Sequence, residues 1–149
     1  RPARSSPPDL AHSVRVSCGP GERESAQAIA QRANHPRVFS LARQTMSIGL
    51  SKACVRRAQL MVATDSGPRH FAAAFGVPAV SLFGPTDPRW SINYHAGETR
   101  LFESVPCGPC QKRVCPLVHH ACMRNLSVER VFHAVAQQVA TPQPLRKAA

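Results

Sequence analysis

Six consecutive residues, Asp65-Ser66-Gly67-Pro68-Arg69-His70, are of types that could hold an anion. An apolar run, residues 60–63, stops just before them. A run of small residues, Ala72-Ala73-Ala74, follows. Ser66 or Asp65 can cap a helix that starts here. Gly67 has no side chain, so its backbone lets a ligand come close. Pro68 suits the first helical turn, where a missing N–H costs little. The N–H groups of that turn, acting with the helix dipole, form an anion site. His70 can donate from one ring nitrogen to a phosphate oxygen, with Arg69 beside it. An ordinary helix start with a half-buried histidine would use the same residues, so spacing alone leaves both readings open.

A second group is the cysteine segment CGPCQKRVCPLVHHAC. Cys107, Cys110, Cys115 and Cys122 are spaced C-x2-C-x4-C-x6-C, with His119 and His120 close by. Four thiolates could bind zinc tetrahedrally. Paired CxxC knuckles would mark such a site, and only one is present. The alternative is a set of reduced, partly buried thiols shaping a loop, and we assign no metal here. Cys18 and Cys54 stand alone and are expected to be buried thiols. Nothing marks secretion, so no disulfide framework is expected.

These groups need elements to position them. Residues 13–18 alternate and read as a strand, then 19–21 as a turn. Residues 22–33 read as a helix with Ala26, Ile29, Ala30 and Ala33 at helical spacing. Residues 37–41 are a second strand. Thr45 or Ser47 can cap a helix carrying Met46, Leu50, Ala53 and Cys54 on one face. Residues 59–63 are a third strand, followed by the Asp65 turn and a helix ending near Gly76. Residues 78–83, PAVSLF, are a continuous apolar run, as in a strand covered on both faces. A loop at 84–88, a weaker strand at 99–103 and the cysteine loop follow. Ser127 caps a last helix whose stripe is Val128, Val131, Phe132, Val135 and Val139. Alternating strands and helices imply a parallel α/β sheet. Ligands sit outside the carboxyl ends of such strands. Glu22, the Asp65 turn and residues 84–87 all fall there.

The bulk numbers permit this. A chain of 149 residues can build one domain with a core, and 43% of it is hydrophobic. Aromatic residues are only 5%, so the core must be mostly aliphatic. No apolar stretch is long enough to span a bilayer. Lys and Arg number 19 against 8 Asp and Glu, a net charge of +11, and most of the excess is Arg. Arg binds phosphate in a bidentate fork, so an anionic partner fits, whether nucleotide, nucleic acid or an acidic membrane surface. A basic surface without a partner would look the same. Residues 1–12 are expected to be a flexible basic tail or linker, 13–140 the folded domain, and 141–149 a basic tail. The chain starts at Arg1, lacks a signal-peptide pattern and is expected to be part of a longer protein.

The run TDSGPRHFAAAFGVPAVSLFGPTDPRW, residues 64–90, resembles the signature of the lipopolysaccharide heptosyltransferases, glycosyltransferase family 9. The cysteine segment through Val131 is similar to the C-terminal part of the heptosyltransferase II type. The resemblance covers residues 14–139 or so and implies the C-terminal, Rossmann-like donor domain of a GT-B enzyme, incomplete at its N-terminus. It implies ADP-heptose as donor and inverting, metal-independent transfer to the lipopolysaccharide inner core. It implies no cofactor, a cytoplasmic location, and peripheral association with the inner membrane as an option. By the same resemblance, Asp65, Ser66, Gly67 and His70 hold diphosphate and sugar, Glu22 the ribose hydroxyls, and Met46 packs near adenine. The family's catalytic base and acceptor site lie in an N-terminal domain, so no catalytic residue is assigned here and the chain alone is expected to be inactive. Two rival readings are a basic zinc-containing nucleic-acid binder and a degenerate remnant. Irregular cysteine spacing and scarce stacking aromatics speak against the first, and we assign no nucleic-acid partner.

Overall fold

The computed structural model describes residues 12–141. Of the tails expected at 1–12 and 141–149, residues 1–11 and 142–149 lie outside the described residues. The chain divides into two units, Arg1–Ser51 and Lys52–Ala149. Both are α/β, with parallel strands joined by crossovers.

In the first unit, β1 (Val14–Val16) pairs in parallel with β2 (Val38–Ser40), Val14 opposite Val38. Between them come a short 3-10 turn, Pro20–Glu22, and α1 (Arg23–Ala33). Helix α1 ends at Asn34 in the left-handed conformation, which Asn tolerates better than most residues. Arg23 Nη1 donates to the Ala42 carbonyl at 2.6 Å, and Ala26 and Ala42 are the buried side chains.

Helix α2 (Ile48–Arg57) runs through the division. Of its two candidate caps the structure uses Ser47, whose hydroxyl accepts from Leu50 N at 3.0 Å. Met46 therefore precedes the helix and is not on its face, a correction that follows from where the cap falls.

The second unit holds a three-stranded parallel sheet in the order β3 (Met61–Thr64), β4 (Ala79–Phe83), β5 (Glu98–Phe102). Helix α3 (Gly67–Ala74) joins β3 to β4, and Gly76, at φ +63°, turns the chain out of it. Strand β4 is central, and four of its five residues are buried. Its two faces pack differently because side chains alternate along a strand. Ala79 lies with Val55, Ala72 and Val77, covered by Phe71 and Phe75. Val80 lies with Leu101, Leu126 and Ala134, covered by Val131 and Val135.

The strand at 98–102 is stronger than its sequence suggests, with full register from Ala79↔Glu98 to Phe83↔Phe102. Helix α5 (Val128–Ala140) starts at Ser127, whose hydroxyl accepts from Arg130 N. Its buried stripe is Val131, Ala134 and Val135. Val128, Phe132 and Val139 are exposed, so the expected stripe of four valines and one phenylalanine was drawn too wide. The cysteine segment is a loop except for a single helical turn, α4 (Ala121–Arg124). Cys18 and Cys54 are half-buried, not buried as expected. Among the described residues no helix is long and apolar enough to cross a membrane.

Candidate functional site

The turn between β3 and α3 sits at the carboxyl end of a parallel sheet, where such folds place ligands. Asp65 N donates to the Leu82 carbonyl, tying the turn to β4. Ser66 is the N-cap in an extended conformation, but its hydroxyl donates back to the Thr64 carbonyl at 3.2 Å. Ser66 thus holds the N-cap position without the side-chain capping bond expected of it or of Asp65. Gly67 is the first helical residue, and a Cβ there would meet nothing within 4 Å. The space over the start of α3 is open.

Arg69 is the residue sequence reasoning undervalued. Its side chain is 0% exposed, one turn before the fully buried Ala72 on the sheet-facing stripe of α3. A buried guanidinium requires partners, and it has them. Nε donates to Glu98 Oε1 at 3.1 Å, Nη2 to the Ser91 carbonyl at 2.7 Å, and Nη1 to His70 Nε2 at 3.2 Å. Asp65 Oδ1 lies 3.6 Å from Nη1, and the Phe83 ring centroid lies 5.1 Å from the guanidinium carbon. The Glu98 side chain is fully buried too, and Ser81 Oγ donates to its Oε1 at 2.6 Å. Its Oε2 is buried without a hydrogen bond among the described residues, with Arg100 Nε 3.6 Å away.

Ser91, in the connection from β4 to β5, completes the array. Its hydroxyl donates to Asp65 Oδ1 at 3.0 Å while its carbonyl accepts from Arg69. Asp65 is thereby half-buried and fixed, whereas Ser66, Gly67 and His70 are exposed. Four of the expected site residues, Asp65, Ser66, Gly67 and His70, are thus brought together. Glu22 and Met46 belong to the other unit. Glu22 is exposed, its Oε2 accepting from Gly19 N at 2.7 Å, and Met46 is half-buried. A basic residue at helical spacing from Ala72, and an acid opening β5, were the available signals for the Arg69–Glu98 pair. No comparable signal pointed to Ser91.

The loop after β4 is stiffened by a local pair. Asp87 accepts from Arg89 N at 2.9 Å, Arg89 Nε at 3.0 Å and Arg89 Nη2 at 2.6 Å. Those hydrogen bonds, the side-chain ones foremost, hold the Asp87 carboxyl below the usual carboxylate range. The same pair raises Arg89.

The cysteine loop surrounds a cavity of about 230 Å³ lined by Cys107, Cys110, Cys115 and Cys122 together with His119 and His120. Cys107 Sγ is 3.9 Å from His119 Nε2. Among the described residues, no three His, Cys, Asp or Glu side chains gather closely enough to hold a metal ion.

With this geometry in place, comparison with known proteins is decisive at the family level. The model of glycosyltransferase family 9 (heptosyltransferase) matches residues 9–121. The chain belongs to that family. Among curated relatives of this family-9 chain, it is 31% identical to lipopolysaccharide heptosyltransferase 1 of Pseudomonas aeruginosa, over 90% of its own length and 41% of the relative's. It is 32% identical to lipooligosaccharide heptosyltransferase 2 of Campylobacter jejuni over 56% of this chain and 26% of that one. It is 37% identical to lipopolysaccharide heptosyltransferase 3 of Escherichia coli over 60% of this chain and 28% of that one. The chain therefore spans well under half the length of these relatives. No solved structure gives a significant match.

Proposed function

We propose that this chain forms the donor-binding part of a GT-B heptosyltransferase, and that the β3–α3 turn grips the diphosphate of ADP-heptose. The observation that carries this reading is the open start of α3. A Cβ at Gly67 would meet nothing within 4 Å, while Asp65 in the same turn is held by the Ser91 hydroxyl. The Gly67 N–H and the helix dipole there suit an anion, Pro68 having no N–H and Arg69 N donating to the Ser66 carbonyl. His70, exposed in the same turn, donates to a phosphate oxygen. As the nucleoside diphosphate departs, charge grows on it, and dipoles already aimed there lower the barrier. Transfer is inverting, needs no metal or cofactor, and places heptose on the lipopolysaccharide inner core from the cytoplasmic side. The isolated chain binds donor and transfers nothing, since none of its residues is assigned as base.

Calorimetry with ADP tests this. Saturable binding is expected, weakened by Gly67→Ala, whose methyl fills the open space without touching the fold. Binding unaffected by that change, or no ADP binding beside steeply salt-dependent DNA binding, would overturn the reading.

A further inference from the structure

Extending the donor reading above, we propose that Arg69 is a positioning residue that fixes which hydrogen His70 offers to a nucleoside diphosphate. A guanidinium has five N–H donors and no acceptor. Its contact with His70 Nε2 at 3.2 Å therefore requires that nitrogen to present its lone pair. A neutral imidazole carries its one hydrogen on the other nitrogen. Nδ1–H of His70 is then the donor left for a phosphate oxygen.

The contact has force because Arg69 itself cannot shift. Each of its three nitrogens is committed: Nε to Glu98, Nη2 to the Ser91 carbonyl, Nη1 to His70. The side chain is fully buried and lies against the Phe83 ring. Ser91 extends the same array to Asp65, so the carboxylate and the imidazole of the turn are set by one buried cation. A mobile surface histidine would divide between two tautomers and lose orientation on binding. One held from below is already arranged for its ligand.

The test is nitrogen-detected NMR of the imidazole in the full chain without ligand, at mildly alkaline pH, with the His70 signals assigned by their loss in His70→Gln. The expected result is hydrogen on Nδ1 and none on Nε2. Hydrogen on Nε2 would overturn the proposal. Arg69→Lys keeps the charge facing Glu98 and loses the fork. It is expected to abolish the single tautomer and weaken ADP binding about tenfold. A folded Arg69→Lys with the wild-type tautomer and wild-type ADP affinity would also overturn it. If that variant does not fold, the wild-type spectrum still decides. Val80→Ala, which loosens the opposite face of the sheet, should lower stability and leave tautomer and affinity unchanged, separating positioning from stability. Should wild-type protein bind no ADP yet show the Nδ1 tautomer, the donor reading falls and the Arg69–His70 relation stands.

Discussion

The Asp65 turn and the cysteine loop both stand out by composition, and the molecule treats them in opposite ways. In the turn, polar groups converge: the Arg69 and Glu98 side chains are fully buried, and Asp65, Ser81, Ser91 and His70 bond to one or the other. In the cysteine loop, reactive side chains share a cavity without converging. The cysteines are half-buried, Val114 and Val118 are exposed, and Gln111, Val118 and His120 have positive φ. Chemistry-bearing residues near one another in sequence become a site when neighbouring elements supply partners. Strands β4 and β5 supply them to the turn. The loop bonds to itself, as from Ala121 N to His119 Nδ1, and to the Pro85 carbonyl just after β4.

The largest expected effect breaks the turn's centre. Glu98→Gln leaves the buried Arg69 guanidinium facing a neutral amide, with Asp65 at 3.6 Å as its remaining anion. Removing one partner of a buried pair costs about 3 kcal/mol or more. Urea unfolding should show that loss. Lys112→Ala in the exposed part of the cysteine loop should stay within about 0.5 kcal/mol of wild type. Equal effects would erase the contrast between the two regions.

A smaller effect sharpens where the regions meet. A Cβ at Gly84 would come within 2.7 Å of Met123 Sδ and 2.9 Å of its Cγ. Met123 lies in α4 at the end of the cysteine loop and lines its cavity. Gly84→Ala should therefore cost about 1–2 kcal/mol through overpacking. Adding Met123→Ala should recover part of that loss, because the two sites are coupled. Additive losses in thermal melts would mean that the loop yields freely.

The cysteines give a third contrast. Purified protein should carry no stoichiometric zinc by elemental analysis, and Cys110→Ser should leave ADP binding unchanged. One zinc per chain would show that the loop gathers its thiolates after all.

How much of this was legible beforehand follows the same division. Local signals held. The apolar run at 78–83 became the central strand, Ser47 and Ser127 capped their helices, and the alternation of elements gave parallel strands. The turn could be singled out as a candidate because Asp, Ser, Gly, Pro and His are informative within six residues. Long-range partners were not legible. Glu98 lies 29 residues from Arg69 and is brought to it by strand register, and Ser91, 22 residues away, by the β4–β5 connection. Exposure on α5 was misjudged because helical periodicity marks an apolar stripe without saying how much of it the sheet can cover. Val128 and Phe132 lie beyond that edge.

The smallest effect concerns the loop after β4, where the turn's ordering thins out. Asp87 and Arg89 hold one another two residues before Ser91 reaches the turn. Arg89 keeps the Asp87 carboxyl below its unfolded range. A depressed carboxyl stabilises the fold at every pH above its unfolded value, and that contribution is lost as the pH falls through the folded one. Asp87→Asn should therefore melt slightly below wild type at neutral pH. The gap should close only once the pH drops below the ordinary aspartate range. The Arg89 side chain is largely exposed, so solvent and salt screen the pair and the gap should be small. No gap at neutral pH would show that Asp87 acts through its hydrogen bond to the Arg89 backbone N–H, a bond whose geometry an amide oxygen reproduces, and not through its charge.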